Sequence, residues 1–113
     1  LITDRKKDII IRGGENISAK EVEDILHDHP KVGEAAVLSM PHERLGEGVC
    51  AYIVPAAGEQ PTLAELAAFA DVAGLARQKI PEHIEVVSEL PRTASGKVRK
   101  DVLRRRIKEI LAG

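Results

Sequence analysis

Among the residues that carry groups able to do chemistry, Lys97 stands out by its setting. It follows Gly96 in the stretch PRTASGKVRK, Pro91 to Lys100. Thr93, Ala94, Ser95 and Gly96 add little side-chain bulk, so such a loop can present an ammonium into a cleft, and a compact point charge suits an oxyanion or phosphate. No Walker-type phosphate loop surrounds the pair, and alone Lys97 reads as a solvated surface lysine. Gly13-Gly14 is by itself a turn, although adjacent glycines let a ligand approach the backbone closely. His27 and His29 stand two apart near a helix end and do not face one another. With no Cys or carboxylate completing a metal signature, they read as surface histidines, favoured at a helix C-terminus, and no metal ligand is expected. The single Cys50 leaves no internal disulfide and suits a reducing, cytoplasmic setting.

Composition narrows the classes further. With 43% hydrophobic and 31% charged residues, the chain reads as one globular domain over 1–113. Only Tyr52 and Phe69 are aromatic, which argues against a surface that stacks bases or sugars. No apolar run approaches membrane-spanning length. The net charge of −1 conceals an asymmetry: both ends are rich in Lys and Arg and the middle is acidic. If the ends meet in space they form a cationic site for an anionic ligand or partner. Leu1 is not an initiator Met, and the chain reads as a piece of a longer polypeptide.

The elements that must position these groups follow from periodicity. KDIIIRGGENIS (7–18) reads as a β-branched strand entering a tight turn, the start of an N-terminal hairpin. Ser18 and Glu21 match a capping box, with Val22, Ile25 and Leu26 on one helix face. Segments 33–41 and 47–55 read as buried strands with an antiparallel connection. Thr62 and Glu65 repeat the capping pattern before a second helix that breaks near Gly74. A third strand lies around Ile84–Val87. A third helix, Val98 to Leu111, places Val102, Leu103, Ile107, Ile110 and Leu111 on one side and Arg104, Arg105 and Lys108 on the other. The expected fold is α+β: a small, mostly antiparallel sheet of about three strands, the N-terminal hairpin and three flanking helices. Three functional readings remain open at this level: an enzyme part delivering Lys97 to a phosphate-bearing reaction, a nucleic-acid binder using the basic helix, and a protein-interaction domain with charged termini. The few aromatics and the lack of a helix-turn-helix or RNP pattern weaken the second.

Two separated segments, TDRKKDIIIRGGENISAKEVE and ELPRTASGKVRKDVLR, together resemble the eighth and tenth core motifs of the adenylate-forming enzymes: acyl- and aryl-CoA synthetases, peptide-synthetase adenylation domains and luciferases. HPKVGEAAVLSMPHERLGEGVCAYIVP resembles the segment between those motifs. The resemblance spans essentially the whole chain as the small, mobile C-terminal domain of such an enzyme. It implies an N-terminal adenylation domain as partner, ATP, Mg2+ and CoA as substrates or cofactor of the full enzyme, and no activity from these residues alone.

By the same resemblance, Lys97 takes the place of the adenylation lysine, touching the substrate carboxylate and the oxygens around the α-phosphate. Lys7 falls at the hinge about which the domain swings. Arg5 resembles the arginine that helps hold the nucleotide. Gly13 and Gly14 line the pantetheine channel, Glu15 helps orient that second-step site, and Arg99 and Lys100 meet CoA phosphates. RGGENI is typical of CoA ligases and stand-alone aryl-acid adenylating enzymes, so a fatty or aryl/alicyclic acyl-CoA ligase is favoured over an aryl-acid or acyl-AMP ligase that loads a carrier protein. PRTASGKVRK also resembles the targets of bacterial lysine acetylases, which would remove the charge of Lys97.

Overall fold

A computed structural model describes residues 8–113; Arg5 and Lys7 lie outside them. Strand β1 (Ile9–Arg12) turns back on β2 (Glu15–Ser18) with Ile10 opposite Ile17 and Arg12 opposite Glu15. The two-residue turn between them needs left-handed backbone at both positions. Gly13 and Gly14 supply it, at φ 60° and 84°. Ser18 then caps helix α1 (Ala19–His27), accepting the Glu21 amide at 3.3 Å. The Glu21 carboxylate reaches Lys79 at 3.0 Å, so the reciprocal arm of the expected box is drawn into a tertiary ion pair.

Two long strands follow, β3 (Val32–His42) and β4 (Gly46–Pro55), paired antiparallel. Helix α2 (Leu63–Val72) starts with the complete Thr62–Glu65 capping box. After a short 3-10 turn at Arg77–Lys79, β5 (His83–Val86) runs parallel to β4, and the chain ends in α3 (Lys100–Ala112). Among the described residues the sheet has five strands, the three expected and the two of the hairpin, which joins it where Arg12 pairs with Gly46. Since β3 fills one edge of β4, the hairpin and β5 share the other.

Both faces of the sheet are covered, which is why β3 and β4 read as continuous apolar runs. Val37, Val49, Ala51 and Ile53 face α1 and α2, meeting Val22, Leu26 and Leu66. Leu38, Met40, Cys50 and Tyr52 face α3, meeting Leu103 and Ile107. The expected apolar stripe of α3 is buried only over its first turns. Ile110 and Leu111 remain 48% and 44% exposed, Ile110 at the rim of an open cavity beside Tyr52 and Glu85. The outer edge of β3 is protected by a side chain, with the Val37 amide donating to Glu23 Oε2 at 2.8 Å. Among the described residues no helix is long and apolar enough to cross a membrane.

Candidate functional site

Lys97 sits on a closed miniature hairpin. Arg92 and Val98 form an antiparallel bridge. The Thr93 amide donates to the Lys97 carbonyl at 2.8 Å, and the Lys97 amide donates to Thr93 Oγ1 at 3.1 Å. Gly96 makes the turn at φ 92°, its amide donating to the Thr93 carbonyl. Arg92 clamps the base of the turn from outside, donating to the Gly96 carbonyl and pairing with Glu34. The small residues, read in the sequence as a loop of little bulk, therefore build a closed, hydrogen-bonded turn.

The lysine borders a cleft of about 510 Å³, lined also by Asp8, Glu23, Arg99, Lys100 and Arg104. Charge in this cleft is largely matched. Lys100 Nζ lies 2.8 Å from Asp8 Oδ1 and 2.6 Å from Glu23 Oε2, with only 15% of its side chain exposed. The Arg99 guanidinium hydrogen-bonds Asp101 at 2.7 Å and holds that carboxyl below the usual range. Among the described residues the two ends of the chain meet in the Asp8–Lys100 ion pair; Lys6, with Arg5 and Lys7, lies outside them.

The Gly13-Gly14 turn belongs to a different place, and neither glycine nor Glu15 lines the Lys97 cleft. The Gly13 amide donates to the Leu45 carbonyl at 3.0 Å, tying the turn to the β3–β4 connection. A Cβ on Gly13 would come within 3.1 Å of Leu45 Cδ2, whereas one on Gly14 would point into open space. Glu15 is exposed and accepts from Gln78 Nε2 at 2.7 Å. Behind the turn, Glu82 takes both Arg12 Nε and Nη2, accepts the Val49 amide at 3.2 Å and lies 3.5 Å from His42 Nε2.

Cys50 and His29 are both engaged in the fold. The Cys50 thiol is buried, and burial with the nearby Glu85 charge pushes it up to about 12, so it is no thiolate nucleophile near neutral pH. His29 packs edge-on against Phe69 with centroids 4.9 Å apart, and its Nδ1 accepts the Lys31 amide. Among the described residues no three or more His, Cys, Asp or Glu gather to hold a metal ion. Sequence reasoning missed Asp8, Glu23 and Glu82. The only local hint was Glu23 lying beside Val22 on an otherwise apolar helix flank.

The AMP-binding enzyme C-terminal domain family model matches residues 21–97. The medium-chain fatty-acid–CoA ligase of Escherichia coli strain K12 is 55% identical over 94% of this chain, which covers 19% of that protein. The 2,3-dihydroxybenzoate-AMP ligase of Bacillus subtilis strain 168 is 48% identical over the whole chain, which covers 21% of that protein. Among solved structures, ATP-bound MatB from Rhodopseudomonas palustris superimposes with a TM-score of 0.87 at 39% identity, over 93% of this chain and 21% of that one. The chain thus spans about a fifth of the length of the relatives it matches.

Proposed function

The chain belongs to the AMP-binding enzyme C-terminal domain family, and from that premise we propose that it serves an AMP-forming acid–thiol ligase, acting with an N-terminal adenylation domain in the cytoplasm. Its relatives include acyl-CoA and aryl-acid–AMP ligases. The reaction proposed is activation of a fatty or aryl/alicyclic acid for transfer to CoA. In the first step a carboxylate oxygen attacks the α-phosphorus of ATP, forming the acyl–phosphate bond and expelling pyrophosphate. In the second the thiol sulfur of CoA attacks the acyl carbon and AMP departs with the C–O bond electrons. The Mg2+ that the resemblance implies finds no cluster of ligands among the described residues, and no step here runs through it.

The observation that carries this reading is the separation of two built features. Lys97 stands on its closed hairpin beside one cleft, and the Gly13-Gly14 turn stands at the β3–β4 connection. A domain that presents one feature, swings, and presents the other can serve two half-reactions in one partner site. Lys97 is assigned to the first, where its ammonium draws the carboxylate and the α-phosphate together and offsets charge at the transferring phosphorus. Gly13, Gly14 and Glu15 are assigned to the second, beside the pantetheine arm. Lys7 is proposed as the hinge and Arg5 as a nucleotide contact. Arg99 is the more accessible candidate for CoA phosphates, since Lys100 would have to exchange its two carboxylates to meet one. A lysine acetylase acting on the exposed Lys97 would remove the adenylation charge.

A second reading, transfer to a carrier protein's pantetheine thiol, is supported by the 48% identity to an aryl-acid–AMP ligase. Offering the adenylated ligase CoA or a phosphopantetheinylated carrier separates the two. The central test measures both half-reactions in the ligase carrying Lys97→Ala. Pyrophosphate exchange should fall by roughly a hundredfold or more, while thioester formation from supplied acyl-AMP stays close to wild type. Equal loss in both steps would contradict the assignment.

A further inference from the structure

Lys100 occupies a position that its own helix disfavours. It is the first residue of α3, where the positive end of the helix dipole repels a cation, and Arg99 before it provides no side-chain cap. Its ammonium is nevertheless held within 2.8 Å of Asp8 and 2.6 Å of Glu23. The two partners are held in different ways: the Asp8 backbone carbonyl accepts the Ala19 amide at 2.9 Å, and the Glu23 carboxylate accepts the Val37 amide at the open edge of β3. One ammonium therefore joins the start of β1, α1, the edge of β3 and the beginning of α3. Asp8 directly follows Lys7, and Lys100 lies three residues after Lys97.

We infer that Lys100 is a positioning residue for adenylation, clasping the Lys97 hairpin to the strand that follows the proposed hinge so that both turn as one rigid body. The inference rests on Lys97 being the adenylation lysine, and it assigns Lys100 a different duty from binding a CoA phosphate. A clasp of this kind is sensitive to its central charge. Without it, Asp8 and Glu23 face each other unneutralised, and the hairpin loses its tie to β1. A small misplacement of Lys97 is enough to slow the first step, because its value depends on reaching two anionic groups at once.

The test uses Lys100→Met and Lys100→Arg, in the 113-residue chain and in the ligase that contains it. In the chain, residual dipolar couplings of residues 92–99 and 8–18 should fit one orientation in the wild type and in Lys100→Arg, and two in Lys100→Met. One orientation retained in Lys100→Met overturns the clasp, and so does a Lys100→Arg variant no better ordered than Lys100→Met. In the ligase, Lys100→Met should lower kcat for pyrophosphate exchange by roughly tenfold to a hundredfold, Lys100→Arg should restore most of it, and KM for CoA should not move. Combined with Lys97→Ala, Lys100→Met should add no further loss. An independent further loss, or a raised KM for CoA with normal adenylation, overturns the inference. If Lys97→Ala itself leaves adenylation intact, the reading of Lys97 fails, and the dipolar couplings still decide the clasp.

Discussion

Arg12 grips Glu82 through two parallel hydrogen bonds of 3.1 Å across 70 residues of sequence. The pair fastens the N-terminal hairpin to the body of the sheet, beside the Arg12–Gly46 pairing of β1 with β4 and the Gly13–Leu45 backbone bond. Ile11 adds one bond, its amide donating to Glu47 Oε1. The turn proposed to enter a partner's active site is thus held by these side-chain bonds together with the backbone bond from Gly13 to Leu45.

Replacing Glu82 should loosen this attachment. Glu82→Ala removes a carboxylate that serves Arg12 and the Val49 amide together, so a loss of about 1–3 kcal/mol is expected. Chemical denaturation measures the loss. Hydrogen exchange should accelerate first at the Ile11 and Gly13 amides. Unchanged protection there would show that the backbone pairing alone holds the hairpin.

Acid should act through the same carboxylate. Burial pushes the Glu82 carboxyl up, but the Arg12 bond, the Val49 amide and the charges of Arg12 and His42 outweigh it and hold the group below the ordinary glutamate range. The unfolded chain then binds its proton more readily than the folded one. The contribution is present above about pH 4.3 and is lost as pH falls through the depressed folded value. Denaturation midpoints between neutral pH and about pH 3 should fall less steeply for Glu82→Gln than for wild type.

The glycine turn should separate the two half-reactions in the sense opposite to Lys97. Gly14→Ala meets open space but must keep φ near 84°, which costs about 1–2 kcal/mol. Gly13→Ala also presses on Leu45 at 3.1 Å and should be the more damaging. Both variants should retain pyrophosphate exchange and lose thioester formation from supplied acyl-AMP. Adenylation falling in parallel with thioester formation would remove the turn from the second step.

Cys50 should resist alkylation in the native protein. Its thiol is fully buried and pushed up to about 12, so iodoacetamide near pH 8 should label it only at the rate of unfolding, while denatured chain reacts at once. Prompt labelling under native conditions would mean that β4 opens locally.

Much of the scaffold was legible in the sequence because it rests on local rules. Thr62 and Glu65 stand at capping-box spacing, and the box forms in full. Gly13-Gly14 between strand-forming residues announces a tight turn, and both glycines adopt positive φ. The unbroken apolar runs of β3 and β4 match burial on both faces. What escaped depends on distance. β5 is four residues long and partly exposed, so its parallel pairing to β4 leaves no clean alternation. Lys100 meets Asp8 across 92 residues, and a charge's remote partner imprints no period on the chain. The Lys97 hairpin was legible in composition but not in its rigidity, which comes from the Arg92–Val98 bridge and the Thr93 hydroxyl.

The hydrogen bond from Val37 to Glu23 has a meaning at high protein concentration. β3 is eleven residues long and apolar on both faces, a profile that recruits further strands and seeds aggregates when its edge lies bare. Glu23 fills the Val37 donor and sets a carboxylate against any incoming strand. The same residue that clasps Lys100 therefore acts as a gatekeeper of solubility, and variants selected for looser domain motion at Glu23 would be expected to aggregate on storage.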